Sequence, residues 1–171
     1  MRRIRYAVAA SLDGYIAGPN GEFDWIVQDP ERNFGALFRQ FDTALIGRLT
    51  YEAMLRSGNG MLPGMKTFVF SRTLQQRDHP GVTVIWEGST EAVAALRAAP
   101  GKDIWLFGGG SLFRSLAGAN LVDTVEVGVI PILLGEGVPL LPPPAMPIKL
   151  TLTSQKVYKR TGIVSLMYDV T

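Results

Sequence analysis

Blocks of apolar and polar positions alternate along the chain and predict an α/β protein. Residues 4–10 are almost continuously apolar, which is typical of a central strand covered on both faces. Similar short apolar runs predict further strands at residues 43–46, 66–70, 82–86, 104–107 and 122–130. Apolar side chains spaced by three and four predict helices at residues 30–40, 51–55, 91–98 and 111–118. Residues 149–158 and 163–170 alternate around a polar turn and predict a C-terminal β-hairpin.

The first of these helices has a recognisable start signal. Asp29 precedes Pro30 at the first helical position, and Glu31 falls in the first turn, where the helix dipole favours a carboxylate. Asp29 and Glu31 are therefore explained structurally, and a catalytic role for either needs independent support.

Composition narrows the class of protein. A chain of 171 residues with 47% hydrophobic and 19% charged residues predicts one domain over residues 1–171. The net charge of +2 and the scattered cations argue against a nucleic-acid partner, and no apolar run is long enough to cross a membrane. The absence of cysteine excludes disulfides and thiolate metal sites, so we expect a cytoplasmic protein without a bound metal.

The most informative stretch is I-W-L-F-G-G-G-S-L-F at residues 104–113, where a strand, a glycine triplet and a helix start follow one another. Backbone amides at a helix N-terminus, free of side chains at Gly108, Gly109 and Gly110, can contact a pyrophosphate. A tight turn or close packing of helix on sheet explains the triplet equally well. The register differs from G-x-G-x-x-G, because Phe113 stands where the last glycine belongs, so a nucleotide site here is of another kind.

Two other strand ends carry groups suited to phosphate. Gly47, Arg48 and Thr50 lie at a second junction of strand and helix, and Ser71 and Arg72 follow the strand at residues 66–70. Each signal has a simpler explanation, since Thr50 can be a helix cap and both arginines can be surface residues. Ligands lie beyond the carboxyl ends of strands in α/β sheets, so the three ends can converge on one molecule. A pyrophosphate and a separate phosphate monoester describe NADP better than NAD.

The loop after the first strand offers candidates for substrate contact. Asp13 either forms the turn that ends the strand or faces a ligand beyond it. Trp25, in a glycine-rich loop with Phe23, either covers a flat ligand or packs on the core.

With these residues in view, the chain resembles the dihydrofolate reductase superfamily, including the reductase domain of riboflavin-biosynthesis enzymes. The resemblance rests on A-A-S-L-D-G-Y-I-A, I-G-R-L-T-Y-E, F-V-F-S-R and F-G-G-G-S-L-F, in that order, and on the closing hairpin. It implies a three-layer α/β fold with a mixed, mostly parallel sheet. It further implies NADPH as hydride donor and a flat pterin or aminopyrimidine substrate.

The resemblance also implies roles for individual residues. Ala9 and Ile16 correspond to neighbours of the nicotinamide, and Gly47, Arg48 and Thr50 to contacts of the pyrophosphate. Ser71 and Arg72 correspond to the residues that bind the adenosine 2′-phosphate. The glycine turn over the cofactor corresponds to Phe107, Gly108, Gly109, Gly110, Ser111 and Leu112.

On the substrate side the resemblance points to acidic residues. Folate reductases hold the pterin by a carboxylate near the start of the first helix, which falls at Glu31 here, with Asp29 as the near alternative. Their partner hydroxyl on a later strand is replaced by Gly128, which departs from the folate enzymes. We therefore predict Asp13, Trp25 and Glu31 as substrate contacts, with Asp13 and Glu31 as catalytic residues and water as an alternative proton source.

The segment P-I-L-L-G-E-G-V-P-L-L resembles the riboflavin-type reductases, which reduce a ring-opened ribose imine on a pyrimidine. The sequence thus predicts an NADPH-dependent reductase of a C=N or C=O group, with an NADPH-binding sensor without turnover as the alternative. Residues 131–147, rich in proline yet apolar, predict an ordered loop at the contact of a homodimer.

Overall fold

A computed structural model describes residues 1–58 and 62–171. No helix within these two ranges combines the length and the hydropathy that crossing a bilayer requires. In chain order the elements are β1 (Ile4–Ser11), β2 (Tyr15–Ala17), α1 (Phe34–Phe38), β3 (Phe41–Gly47), α2 (Arg48–Arg56), β4 (Lys66–Phe70), a 3-10 turn (Gln76–Asp78), β5 (Thr83–Ile85), α3 (Ser89–Ala98), β6 (Asp103–Gly108), α4 (Gly110–Gly118), β7 (Thr124–Ile130), β8 (Val138–Pro139), β9 (Leu150–Tyr158) and β10 (Ile163–Val170).

The main sheet has eight strands in the order β5-β4-β3-β6-β1-β7-β10-β9. Strands β5, β4, β3, β6, β1 and β7 run parallel, and β10 and β9 join antiparallel as a hairpin. The apolar first strand lies between β6 and β7, near the middle of the sheet, as its composition predicts. The predicted mixed, mostly parallel sheet and the C-terminal hairpin are both confirmed.

Helices cover both faces of this sheet. On one face α3 and α4 contribute Val93, Leu112, Phe113 and Leu116 to a buried cluster with Ile4 and Leu106. On the other face Tyr51 and Met54 of α2 join Ala44, Ile46 and Val69, with α1 packed at the margin. The alternation of side chains along β1 sends Ile4 and Tyr6 to the first face and leaves Arg5 and Ala7 on the second. This three-layer arrangement is the predicted fold.

The first helix is much shorter than predicted. α1 begins at Phe34, and the side chain of Asn33 caps it by accepting a hydrogen bond of 2.8 Å from the amide of Ala36. The predicted start at Pro30 is wrong, because the cap formed by Asn33 lies one turn further along.

Asp29 does not lie at the start of α1. Its carboxylate accepts hydrogen bonds from the amide of Glu31 at 2.8 Å and from the hydroxyl of Thr161 at 2.7 Å. The bond from Thr161 is the main reason that the pKa of Asp29 is lowered. Asp29 therefore fastens the loop before α1 to the turn of the C-terminal hairpin.

The proline-rich segment is ordered and covers the loop that follows β1. Its strand β8 pairs with β2, and the amide of Leu12 donates to the carbonyl of Ile132 at 2.9 Å. The amide of Leu140 donates to the carbonyl of Gly14 at the same distance. The predicted ordered loop is thus present, whereas its place in a homodimer contact stays a prediction.

Candidate active site

A large open cavity lies at the carboxyl ends of β3 to β6 and continues over the sheet face formed by β1, β7 and β10. Its volume of about 1880 Å³ exceeds the roughly 300–1000 Å³ of an ordinary ligand pocket. There is room for a dinucleotide and a second molecule. Every residue predicted to bind the cofactor lines it: Ala9, Ile16, Gly47, Arg48, Thr50, Ser71, Arg72, Phe107, Gly108, Gly109, Gly110, Ser111 and Leu112.

Strand register forms the floor of the cavity on the β1 side. Residues paired across β1, β7 and β10 point to the same face of the sheet, and alanine and glycine there leave space above the backbone. Two rows of paired residues line this floor: Ala7, Glu126 and Met167, and next to them Ala9, Gly128 and Ser165.

Two helix N-termini meet at the other side of the cavity. The N-caps of α2 and α4 are Gly47 and Gly109, and in the described part of the chain neither helix has a side-chain hydrogen bond at its cap. A Cβ atom at position 47 would lie 3.2 Å from the amide nitrogen of Gly109, so the two N-caps are in contact. Both ends thus present unbonded amides and the positive end of a dipole to one region, which is favourable for an anion such as pyrophosphate.

The glycine turn is also required by packing. Gly108 has φ of +146° and is joined to Gly109 by a cis peptide bond. A Cβ atom at position 110 would lie 2.5 Å from the carbonyl oxygen of Pro139 and 2.7 Å from Cδ of Pro142. The packing explanation that the sequence left open is therefore correct for Gly110. It is compatible with phosphate binding, because the same turn lines the cavity.

The polar side chains at the α2 junction face the glycine turn and the cavity. A Cβ atom at position 109 would lie 3.2 Å from Oγ1 of Thr50, so this hydroxyl faces the turn. Arg48 donates to both carboxylate oxygens of Glu52, one turn along α2, at 2.9 and 3.1 Å. Glu52 thus orients the guanidinium of Arg48 at the cavity wall.

The end of β4 combines an exposed cation with an exposed aromatic ring. The hydroxyl of Ser71 accepts hydrogen bonds from the amides of Thr73 and Leu74, so it organises its own turn. Arg72 is exposed, and its carbonyl accepts a bond of 2.9 Å from the indole of Trp86, which is 65% exposed. Sequence reasoning missed Trp86 as a site residue. The available signal was an aromatic residue directly after β5, at the same sheet edge as Arg72.

Asp13 lies outside the cavity lining. Its carboxylate accepts bonds from the hydroxyl of Ser11 at 2.6 Å and from the amides of Leu134 and Gly135 at 3.1 and 2.7 Å. The bond from Ser11 is the largest cause that lowers the pKa of Asp13 to about 2. An acid with this pKa is ionised near neutral pH and is a poor proton donor. The geometry favours the turn-forming role of Asp13 over the predicted contact with substrate.

This hydrogen bonding predicts an acid-dependent contribution to stability. Because the pKa of Asp13 is lower in the folded chain than its ordinary value of 3.8, its carboxylate stabilises the fold above about pH 4. That contribution is lost as the pH falls toward 2. We expect Asp13→Asn to be less stable than wild type at pH 7 and the two to converge at pH 2, measured by urea unfolding across this range. Parallel curves would contradict the assignment.

Glu31 and Trp25 also lie outside the lining. The side chain of Glu31 is exposed to solvent. Trp25 packs against the small cluster around Ile130 and Ile163 and donates its indole N–H to the carbonyl of Glu22. The structure therefore does not bring Asp13, Trp25 and Glu31 together, and of the two aromatic residues in the loop it is Phe23 that lines the cavity.

Charged residues of another kind occupy the floor instead. Glu126 accepts bonds of 2.5 and 2.9 Å from Nε and Nη2 of Arg5, and both side chains are almost buried. Burial opposes the charge of Arg5, yet hydrogen bonds to Glu126 and Asp103 outweigh it and raise the pKa of Arg5. Arg32, the neighbour of the predicted Glu31, also lines the cavity. In the sequence these residues show only as polar positions within or beside apolar elements.

Comparison with known proteins agrees with this architecture. Residues 2–164 match the family model of the RibD C-terminal domain. The uncharacterized protein YyaP of Bacillus subtilis is 34% identical over 179 residues, which cover 98% of this chain and 94% of that protein.

Two solved structures extend the comparison to the fold. A putative riboflavin biosynthesis protein from Shewanella sp. PV-4 superimposes with a TM-score of 0.81 at 28% identity, over 100% of this chain and 99% of that chain. Dihydrofolate reductase from Enterococcus faecalis, solved with NADP(H), gives a TM-score of 0.72 at 21% identity, over 98% and 96% of the two chains. The predicted dihydrofolate reductase-like fold is confirmed.

Proposed function

We propose that this chain, which belongs to the RibD C-terminal domain family, is an NADPH-dependent reductase that acts on a C=N or C=O group of a pterin or aminopyrimidine-type heterocycle. One observation carries the proposal: the residues predicted to bind the cofactor, distant in sequence, all line one cavity that is large enough for a dinucleotide and a substrate.

The geometry suits each part of NADPH in turn. The pyrophosphate fits the adjacent N-termini of α2 and α4, where amides are free and dipoles favour negative charge. Arg72 binds the adenosine 2′-phosphate, because a guanidinium matches a phosphate monoester with two parallel bonds. Trp86, held by the carbonyl of Arg72, gives the adenine a flat surface. Ala9 and Ile16, which line the cavity next to its floor, would hold the nicotinamide.

In this arrangement the protein positions NADPH and the substrate for hydride transfer and excludes competing reactions. NADPH, when bound, supplies a hydride that forms the new C–H bond at the substrate carbon, and the π electrons of the C=N or C=O bond take up a proton on nitrogen or oxygen. Asp13 and Glu31 lie away from the cavity, so we propose water as the proton source. Glu126, which is paired with Arg5, accepts hydrogen bonds from substrate N–H groups and orients the ring.

A cofactor titration tests the proposal directly. We expect NADPH to quench tryptophan fluorescence and to bind more tightly than NADH. Arg72→Ala should weaken NADPH at least about tenfold, since a charged hydrogen bond contributes about 1.5–3 kcal/mol, and should weaken NADH less than about threefold. Arg77→Ala is the matched control, because Arg77 is an exposed arginine of the neighbouring 3-10 turn outside the cavity lining.

Equal losses for the two dinucleotides would remove Arg72 from the phosphate site. If neither dinucleotide binds the wild-type protein, the glycine turn is purely structural and the chain shares only the fold of these reductases.

A sensor that binds NADPH without turnover is the second candidate. The observation that favours it is the position of Asp13 and Glu31 outside the cavity, which leaves the predicted proton donors away from any bound substrate. Oxidation of NADPH that depends on an added dihydropterin or aminopyrimidine supports the reductase. Tight NADPH binding without such oxidation supports the sensor.

A further inference from the structure

Tyr158, the last residue of β9, lines the cavity close to Ala9, a proposed neighbour of the nicotinamide. Ala9 packs against the small buried cluster that Tyr158 forms with Ile130 and Ile163. This contact places a tyrosine at the part of the cavity where we propose that the hydride is transferred.

Strand register directs the side chain of Tyr158 to the cavity face of the sheet. Ala9, Gly128, Ser165 and Lys156 are paired in one row across β1, β7, β10 and β9. Tyr158 follows Lys156 by two residues on β9, so its side chain points to the same face as Ala9. The sheet itself, and not a loop, therefore sets the position of the tyrosine ring.

Two cations hold this ring in place. The ammonium of Lys156 lies 4.5 Å from the centre of the Tyr158 ring, and the guanidinium carbon of Arg32 lies 5.9 Å from it. Both distances fall within the range of about 6 Å over which a cation is attracted to an aromatic face. Gly128 leaves room for Arg32, because a Cβ atom at this position would lie 3.2 Å from its Nη1. The ring thus lies beside the floor of the cavity.

The hydroxyl of Tyr158 is not used by the fold. Only 8% of the residue is exposed, yet among the residues that the structure describes its hydroxyl has no hydrogen-bond partner and keeps contact with solvent. Because Tyr158 lines the cavity, this exposed remainder is open to a molecule bound there. The hydroxyl of a buried tyrosine usually has a hydrogen-bond partner, and here a bound substrate can supply it.

The other polar groups of the floor are poor proton donors. The guanidinium groups of Arg5 and Arg32 keep their protons in proteins. Glu126 accepts two hydrogen bonds from Arg5, so its carboxylate acts as an acceptor. The alcohol of Ser165 is a much weaker acid than a phenol. Within residues 1–58 and 62–171, Tyr158 contributes the only phenol to the cavity lining.

We infer that Tyr158 is a catalytic residue that gives a proton to the nitrogen or oxygen of the reduced bond. The inference rests on the proposed function, because the hydride must come from NADPH. As the new C–H bond forms, the π electrons move to the heteroatom. The O–H bond of Tyr158 breaks, and its proton forms the new N–H or O–H bond.

The surroundings of Tyr158 suit this transfer. The positive charges of Arg32 and Lys156 offset the negative charge that remains on the phenol oxygen. Water that enters the open cavity then returns a proton to this oxygen and restores the phenol. Water therefore remains the final source of the proton, and Tyr158 delivers it to the substrate.

Tyr158→Phe tests the inference, because it removes the hydroxyl and keeps the ring in its packing. Turnover is followed as oxidation of NADPH with dihydrobiopterin, which offers a C=N bond, and with isatin, a flat heterocycle that offers a C=O bond. We expect the kcat of the variant to fall at least about 100-fold with each probe that the wild type reduces, as loss of a general acid predicts. Its affinity for NADPH, followed by tryptophan fluorescence, should stay within about threefold of wild type.

Tyr168→Phe is the matched control. It removes the same group from the neighbouring strand β10, where Tyr168 pairs with Val125 on the opposite face of the sheet, outside the cavity lining. Its kcat should stay within about threefold of wild type. A loss as large as that of Tyr158→Phe would assign the effect to the hairpin and overturn the inference.

The two proposals fail in different ways. If the wild type reduces a probe and Tyr158→Phe keeps more than about a third of its kcat, the inference is overturned and the proposed function stands. The same holds if the variant loses NADPH binding together with turnover, since Tyr158 is then needed for binding. If the wild type binds NADPH and oxidises it with neither probe, the proposed reductase function fails for both classes of bond, and the inference falls with it.

Discussion

Replacing Arg5 by leucine is expected to lower the free energy of unfolding by about 3–5 kcal/mol. Arg5 and Glu126 form an almost buried ion pair on the floor of the cavity, with side chains that are 10% and 11% exposed. Arg5 also donates to the side chain of Gln40 at 2.6 Å and lies over the ring of Phe41. The variant leaves the Glu126 carboxylate buried without its partner, and this unpaired charge is the main cost.

Arg3 provides the matched control two positions earlier in the chain. Its guanidinium pairs with Asp169 at 2.5 Å, but the two side chains are 51% and 43% exposed. Arg3→Leu should therefore cost no more than about 1 kcal/mol, as exposed ion pairs do. Urea unfolding of both variants measures the difference in the free energy of unfolding. Equal losses would show that burial does not increase the contribution of the Arg5 pair to stability.

A double variant separates pairing from other contacts of Arg5. Replacing Arg5 and Glu126 together by leucine removes both charges and should recover most of the stability that Arg5→Leu alone loses. A double variant as unstable as the single one would assign the loss to Gln40, Asp103 and Phe41 instead.

The grouping of the residues proposed to bind the cofactor was predictable because its signals are local. A strand, a glycine and a helix start follow one another within a few residues at Gly47 and again at Gly109, and each junction is set by short-range backbone geometry. The rule that strand ends meet at one edge of a parallel sheet then joins these junctions with Arg72. No side-chain conformation had to be known for this step.

The floor of the cavity, where we propose the substrate binds, depends on long-range register and on the length of one short helix. Glu126 and Gly128 reach the floor because β7 pairs with β1 and β10 in a particular register, which periodicity alone does not determine. The predicted helix at residues 30–40 begins one turn later, because Asn33 caps it, and the loop that results directs Arg32 into the cavity while Glu31 stays exposed. The surroundings of Asp13 depend on long-range contacts too: its partners, the amides of Leu134 and Gly135, lie far away in sequence.

The same contrast, between local signals and long-range packing, applies to the glycines of this site. Gly47 and Gly109 bring two helix N-termini into contact, whereas Gly128 leaves room for a guanidinium from a distant loop. The first role follows from a local motif and the second only from the folded chain. The junctions of strand, glycine and helix predict a phosphate site from the sequence alone. Which charged side chains lie beside that site depends on the packing of the folded chain.

Gly110→Ala is expected to have the largest effect at the proposed cofactor site. The added methyl group would lie 2.5 Å from the carbonyl oxygen of Pro139, so α4 or the segment with β8 must move. We expect a loss of about 1–3 kcal/mol in the free energy of unfolding, as overpacking of a close contact predicts. On the proposed function, displacement of the α4 N-terminus from that of α2 should also weaken NADPH at least about tenfold.

Gly118→Ala, at the other end of α4, is the control that adds a methyl group to the same helix without the close contact. Within the described residues, no atom beyond the adjoining residues and the backbone of α4 lies within 4 Å of its added Cβ, so the substitution should be neutral or stabilise the fold by about 0.4–1 kcal/mol, with NADPH binding unchanged. Urea unfolding and the NADPH titration of the two variants give four values to compare. Unchanged stability in Gly110→Ala would contradict the packing assignment. Normal NADPH affinity in a destabilised Gly110→Ala would show that stability and cofactor binding are independent here. The N-terminus of α4 would then not be a contact of the pyrophosphate.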